Sequence, residues 1–198
     1  MGKKEEERAS VKYNYKWVFF ISIWTFFMAV GISIITENLV KNLDIAIAFF
    51  VLILIILVGI VFDIIGIAVT TAEEKPFHAM AANKVREAKY AIKLVRNAGQ
   101  VSNFCNDVIG DICGILSGAL GTTIVYKLMG IYTIINATAL TIIISSLVAS
   151  FTVGGKALGK SIALIYHEKI IYSIAKVIMV FENNLNIRLF SNEKNNKR

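Results

Sequence analysis

The chain has 198 residues, of which 56% are apolar and 18% charged, with one proline, two cysteines and a formal net charge of +7. A soluble domain carries about 25% charged residues, so this composition excludes a disordered chain, a disulfide scaffold and an ordinary water-soluble enzyme. Runs without a charge extend over 20 residues at 17–36, 18 residues at 45–62 and 28 residues at 128–155. Because about 20 apolar residues span a bilayer as a helix, the sequence predicts an integral membrane protein.

The predicted fold is an all-α membrane protein with about four transmembrane helices, at 17–36, 45–70, 102–126 and 131–153. The loops and termini on alternate sides of these spans hold 19 and 2 Lys and Arg residues. The basic side of a membrane protein faces the cytosol. Both termini and the 72–101 segment are therefore expected there, in a multi-pass protein of the cell membrane. Attraction to anionic lipid accounts for the rest of the positive charge, and no nucleic-acid partner is expected.

Four shorter segments flank the spans. Residues 1–16 form a basic cytosolic N-terminus, and the first span that follows is expected to stay uncleaved because no small-residue cleavage site comes after it. An amphipathic juxtamembrane helix is predicted over 76–98 from apolar residues spaced by three and four. A second amphipathic helix is predicted over 168–181, and the polar tail 182–198 is expected to be disordered.

The third predicted span carries Gly110, Gly114 and Gly118, which form two overlapping G-x-x-x-G units. Small residues at this spacing let two helix backbones approach closely in lipid. Two partners for this face remain open: another helix of the same chain, or the same helix of a second copy in a homodimer.

The residues of common catalytic sites do not cluster in the sequence. Cys105 and Cys113 are eight residues apart on one predicted helix, about 12 Å along its axis, which is too far for a disulfide. His78 and His167 are isolated from them. With no nucleophile–base pair and no Cys/His metal cluster, we do not expect an enzyme.

Four ionisable residues lie within or at the end of predicted spans: Asp63, Asp107, Asp111 and Lys156. Such residues are costly in a membrane and face a bundle interior, paired or solvated. If the faces carrying the three acids meet, their oxygens form a site suited to Mg²⁺, Ca²⁺ or Na⁺. The alternatives are solvation at the cytosolic interface and an ion pair with Lys156.

Several of these segments resemble the transmembrane domain of the CNNM/CorC magnesium transporters. Residues 90–97 followed by 106–122 are similar to that family's basic helix and "GNNLVNILxSALAT" span. Residues 155–163 with Glu168 resemble its "GExxPKxxAxxxPE" segment and keep Gly155, Lys160 and Glu168. Residues 63–71 occupy the place of its "SAxExAxxS" segment. The likeness covers about 47–180, and it places a CNNM/CorC-like domain at 45–180.

The resemblance implies a dimeric three-span domain with a helical belt and a cation site in mid-membrane. The chain departs from the family at that site: Asp63 replaces a Ser, Asp111 falls near an Asn, and Lys156 stands where the family has its acid. The family's usual regulatory domains also do not follow residue 180. The resemblance therefore predicts binding or transport of a divalent cation, taken as Mg²⁺, with Asp63, Asp107 and Asp111 as ligands.

A second hypothesis gives Lys156 the place of the cation. The chain is then a non-transporting membrane subunit with a charge-compensated core, paired with itself or with a related membrane protein. If Lys156 instead extends to the cytosolic interface, the acids remain free to bind a cation.

Overall fold

The structure is a computed structural model that describes residues 15–41, 43–131 and 136–185. Those residues form helices and no strand. The elements are α1 (Tyr15–Lys41), α2 (Ile45–Thr71), α3 (Glu74–Ala82), α4 (Ala88–Arg96), α5 (Ala98–Ser102), a π-helical segment (Asn103–Gly110), α6 (Asp111–Ile131) and α7 (Ala137–Leu185). Residues 1–14, 42, 132–135 and 186–198, which include most of the predicted N-terminus and tail, lie outside the described residues.

Helix α1 belongs to a compact unit of its own, which ends at Leu43. The predicted first span, 17–36, falls within this helix. Its apolar core, Phe19–Ile35, is shorter than the 18 residues that would place it among the spanning helices of the described chain. The count of four spans therefore stays a prediction.

Three helical stretches of the second unit are long and apolar enough to cross a membrane: Ile45–Thr71, Ala98–Ile131 and Ala137–Glu182. They pack pairwise against each other. A β-carbon on Gly121 of α6 would touch Ile144 and Val148 of α7, while one on Gly110 would lie beside Lys156. Higher numbers on α6 thus meet lower numbers on α7, so these two helices run antiparallel.

The third and fourth stretches are longer than the sequence predicts. The third begins at Ala98, with the π-helical segment inside it, and ends at Ile131 instead of 126. The fourth continues through the predicted boundary at 153 to Leu185, and non-helical backbone at Tyr166 divides it. The predicted helix at 168–181 is therefore the C-terminal part of α7, beyond Tyr166. The chain has no Pro or Gly between 160 and 181, and these are the residues that most often end a helix.

The juxtamembrane segment is two helices where the sequence predicts one over 76–98. Helix α3 ends at Ala82, and α4 begins at Ala88. Lys84 between them has φ of 62°, a left-handed conformation that an α-helix cannot continue through. The apolar faces of α3 and α4 are covered by protein: Phe77 and Leu94 pack in one core with Ile171 of α7 and the end of α2.

Three polar contacts hold this helical belt, which we define as α3 and α4. The Arg96 Nε donates a 3.0 Å hydrogen bond to Glu74, and the His78 ring lies 3.0 Å from the same carboxylate. These two partners hold the pKa of Glu74 below its ordinary value, His78 contributing most. Tyr90 donates a 2.7 Å hydrogen bond to Glu182 on α7, and this bond raises the pKa of Tyr90. The hydrogen bond from Tyr90 to Glu182 thus connects the belt to the C-terminal part of α7.

Candidate functional site

Two glycines set the distance between α7 and α2. A β-carbon on Gly155 would collide with Ile60, and one on Gly159 would lie 2.8 Å from Ile64. The two glycines are four residues apart and share one face of α7. The backbones therefore approach each other more closely than larger residues would allow, and this approach brings Lys156 beside α2.

Lys156 forms an ion pair with Asp63 of α2. The ammonium Nζ lies 3.7 Å from the carboxylate Oδ1, and the side chains are 29% and 15% exposed. At this separation the attraction is electrostatic, because 3.7 Å is too long for a hydrogen bond. Lys156 thus points towards α2, as expected for the ion pair that was one of its two predicted positions.

The π-helical segment lies beside the ion pair of Lys156 and Asp63, in addition to the two helices that carry these residues. A β-carbon on Gly110, its last residue, would lie 3.5 Å from Lys156 Nζ and 4.0 Å from Asp63 Oδ1. The space between Lys156, Gly59 and Cys113 has no room for a water molecule. Lys156 is therefore tightly packed on the side of α6. Single π-helical turns within longer helices are frequent at functional sites.

Asn106 precedes Gly110 in the same π-helical segment and lies directly against Gly66 of α2. Its Nδ2 donates a 3.2 Å hydrogen bond to Ser102. Its Oδ1 is buried and has no hydrogen-bond partner in the described part of the chain. An unsatisfied buried acceptor costs about 1–3 kcal/mol. This oxygen therefore lacks the hydrogen bond that a buried acceptor normally has.

The three predicted carboxylate ligands do not meet. Asp63 faces the bundle, whereas Asp107 and Asp111 are exposed on the other side of the third stretch. The described residues contain no group of three or more His, Cys, Asp or Glu side chains placed to hold a metal ion. Asp107 and Asp111 are both exposed, whereas the three-carboxylate site requires them to face Asp63. The expected three-carboxylate cluster is therefore not formed within one chain.

The remaining predicted positions fall in three places. Gly110 packs inside the bundle, but β-carbons on Gly114 and Gly118 would meet no heavy atom within 4 Å. Of these three glycines, only Gly110 therefore packs closely against another helix of the same chain. Lys160 is exposed on α7 one turn after Lys156, and Glu168 is exposed just beyond the backbone break at Tyr166.

Comparison with known proteins adds no family to this geometry. Neither a protein-family model, nor a curated protein, nor a solved structure matches the chain. The resemblance to the CNNM/CorC transmembrane domain therefore depends on the motifs described above.

Two features of the site were missed by the sequence interpretation. Asn106 was part of a matched stretch but was not singled out, although an Asn inside an apolar span is itself costly without a partner. The π-helical segment has no sequence signature of the kind that marks a helix start or end. The polar run from Ser102 to Asp107 was the available signal for both.

Proposed function

We propose that this chain is a membrane subunit of the CNNM/CorC-like type in which the ammonium of Lys156 takes the place of a bound cation. The single observation that carries this proposal is the ion pair between Lys156 and Asp63. A divalent ion that binds Asp63 must displace an ammonium that is covalently part of the protein. The proposed subunit therefore does not transport Mg²⁺. The distribution of Lys and Arg supports a place in the cell membrane with both termini in the cytosol, and we propose no enzymatic activity for it.

The electrostatics of the site favour this proposal over an open cation site. An ammonium beside a carboxylate repels a divalent cation that approaches the same carboxylate. Here one carboxylate faces one ammonium, and the other two acids point away from them. The net charge of the enclosed pair is zero, so little electrostatic attraction is left for a second cation.

Transport of Mg²⁺ is the second candidate, and the unpartnered Asn106 Oδ1 favours it. If Lys156 swings out of the bundle, Asp63 and Asn106 present a carboxylate and an amide oxygen from two neighbouring helices. Mg²⁺ retains several waters and needs only one or two protein carboxylates. In this candidate Asp107 and Asp111 bind the ion only if contact with another surface brings them to the pathway of Asp63 and Asn106.

Uptake of Mg²⁺ into proteoliposomes separates the two candidates. The proposal expects no uptake by the wild type above that of empty vesicles, and uptake by Lys156→Glu, which restores an acid where the resembled family has one. Adding Asp63→Asn to Lys156→Glu removes that uptake. Lys176→Glu, the same change of charge at an exposed position of α7, leaves the wild-type result unchanged.

Uptake by the wild type contradicts the charge-compensated subunit and supports the second candidate. In that case Asn106→Leu and Asp63→Asn each reduce the uptake. If Lys156→Glu inserts and folds but remains inactive, Lys156 is not the element that prevents transport, and the proposal fails.

A further inference from the structure

A cleft lies between α2 and α7 in the second unit, with a volume of about 720 Å³. Its lining residues are apolar or glycine, with the exception of Ser150. Leu52, Ile56 and Ile144 are buried and form its floor, whereas Phe151 is among the exposed residues at its open side. A buried water molecule needs two to four polar partners, and this lining offers a single hydroxyl. The cleft is therefore suited to an apolar occupant.

The cleft extends along one half of the membrane. Helices α2 and α7 run parallel, because Ile60 lies against Gly155 and Ile64 lies against Gly159. On α2 the lining runs from Phe49 to Ile60, which is from about 6 Å to about 22 Å after the start of the helix. One leaflet contributes about 15 Å of the hydrocarbon core. The cleft therefore has about the length of one leaflet, on the side where α2 and α7 begin and away from the helical belt.

The width of the cleft distinguishes a hydrocarbon chain from a helix. Over a length of about 17 Å, its volume corresponds to a mean cross-section of about 42 Å². A helix with its side chains is at least about 10 Å across and occupies about 79 Å². A hydrocarbon chain packs at about 4 Å from its neighbours and needs about 16 Å². The cleft thus has about half the cross-section that a helix needs, and it has room for an acyl chain.

We propose that this cleft is a lipid-binding site, occupied by an acyl chain of a phospholipid from the leaflet on its side of the membrane. Its walls belong to stretches long and apolar enough to cross a membrane, so lipid is adjacent to its open side. A chain in the cleft contacts α2 and α7 at once and gains more dispersion attraction than a chain on the surface of one helix. Gly154 leaves space for it, since a β-carbon there would meet no heavy atom within 4 Å.

This inference goes beyond the proposed subunit role and requires only that the spanning stretches are inserted in a membrane. Cation uptake tests the proposed function, whereas lipid photo-crosslinking tests the site. The protein is reconstituted in phosphatidylcholine vesicles that contain a trace of a phosphatidylcholine with a diazirine in one acyl chain. Two probes are used separately, one with the diazirine near the carboxyl end of the chain and one with it at the methyl end. After illumination, mass spectrometry of peptides locates the labelled residues.

The two probes report the direction of the bound chain. We expect the probe with the diazirine near the carboxyl end to label α2 close to Phe49, at the end of the cleft nearer the start of the helix. We expect the probe with the diazirine at the methyl end to label α2 close to Ile60, near the middle of the membrane. This order follows from a lipid whose headgroup lies on the side where α2 begins.

Ile115 of α6 is the comparison for ordinary lipid contact. It is exposed and does not line the cleft. It also lies at a similar depth, because Gly110 is level with Lys156 and Gly121 is level with Ile144. We expect the lining residues to be labelled about tenfold more than Ile115.

Two variants fill the cleft. Gly154→Leu places a side chain inside it, and Ser150→Leu does so from another lining position. We expect each to lower labelling of the cleft about tenfold and to leave labelling of Ile115 unchanged, which shows that the variants are inserted. Gly118→Leu is the matched control, because a β-carbon on Gly118 also meets no heavy atom within 4 Å but lies outside the cleft. It leaves labelling of the cleft unchanged.

Four outcomes overturn the proposal. Equal labelling of the cleft and of Ile115 means that only exchanging bulk lipid contacts the cleft. A cleft that stays unlabelled means that protein covers it. The reverse order of the two probes means that the chain belongs to the opposite leaflet. Labelling of Gly154→Leu and Ser150→Leu at the level of the wild type means that the chain does not lie in the cleft.

Discussion

Gly155 of α7 lies directly against Ile60 of α2, whereas its neighbour Gly154 has no heavy atom within 4 Å of the position that a β-carbon would take. Two adjacent glycines on one helix thus have different surroundings. Of the two, only Gly155 contacts α2, and its small size permits the approach that brings Lys156 beside Asp63.

This difference predicts opposite effects for two conservative substitutions. Gly155→Ala forces a methyl group into Ile60, and overpacking of this kind lowers the free energy of unfolding by about 1–3 kcal/mol. Gly154→Ala meets open space, and it raises that free energy by about 0.5–1 kcal/mol because Ala loses less backbone freedom in a helix than Gly. Denaturant titration of both variants in detergent micelles measures the two effects. Equal effects contradict the close contact of α2 with α7.

The ion pair of Lys156 with Asp63 predicts non-additive effects on stability. Lys156→Met leaves the carboxylate of Asp63 alone in a mostly buried position, and Asp63→Asn does the same to the ammonium. Each lowers the free energy of unfolding by about 3 kcal/mol. The double variant loses less than the sum, because neither group is then left unpaired.

The measurement is a double-mutant cycle on the free energy of unfolding. Lys160→Met, which removes an exposed ammonium one turn away, is the control variant for this cycle. Additive losses in the cycle contradict a direct interaction between Lys156 and Asp63.

The spanning stretches of the second unit could be predicted because composition alone determines them. A run such as 45–62, with no charge and a high apolar content, has few alternatives to a spanning helix. The spacing of Asp107 and Asp111 predicts a shared face, and both residues are exposed. The direction in which that face turns could not be predicted, since it depends on where Gly59, Gly110 and Gly155 permit other helices to approach.

The partner of Lys156 was among the alternatives left open by the sequence. A lysine near the end of a predicted span has two low-energy positions, paired inside or extended to the interface. The choice between them depends on the length of α7, which continues 32 residues beyond the predicted end at 153. That extension leaves Lys156 well inside a helix. The break at Lys84 was likewise hidden, because residues 83–87 contain neither Gly nor Pro.

The unpartnered oxygen of Asn106 predicts an unusual tolerance to an apolar substitution. Asn106→Leu removes a buried acceptor that has no partner in the described residues, which is favourable, and it also removes the hydrogen bond from Nδ2 to Ser102, which is unfavourable by a similar amount. We expect the free energy of unfolding to change by less than about 1 kcal/mol. Asn103→Leu, at an exposed position of the same segment, is the control.

A loss well above that value in Asn106→Leu means that the oxygen has a ligand in the membrane. Repeating the measurement with and without Mg²⁺ then identifies a cation: a bound ion stabilises the wild type as its concentration rises, and it does not stabilise the variant.

The hydrogen bond from Tyr90 to Glu182 predicts a loss of belt stability at alkaline pH. This bond raises the pKa of Tyr90 above its ordinary value of 10.0. A raised folded-state pKa contributes stability that is fully present below the unfolded value and is lost as the pH rises through the folded one. The melting temperatures of the wild type and Tyr90→Phe therefore differ below the ordinary pKa of 10.0 and converge as the pH rises through the raised pKa of Tyr90. A difference that persists unchanged in alkali contradicts this role for the hydroxyl.

The cluster of Glu74, His78 and Arg96 predicts the opposite pH dependence. His78 and Arg96 hold the pKa of Glu74 below its ordinary value of 4.5. A lowered folded-state pKa contributes stability that is present above the unfolded value and is lost as the pH falls through the folded one. Because the carboxylate is exposed and screened by solvent, the effect is local: α3 separates from α4 before the spanning helices unfold.

Hydrogen exchange of the α3 and α4 amides measures this local opening. We expect the exchange rates of the wild type to rise, once corrected for the intrinsic effect of pH, as the pH falls from about 5 to about 3. Glu74→Gln already exchanges faster at about pH 6 and changes little on acidification. His78→Ala separates the two partners, because it leaves the bond from Arg96 and so retains part of the acid dependence. Identical profiles for the wild type and Glu74→Gln contradict the assignment of this carboxylate as the tie between the two helices.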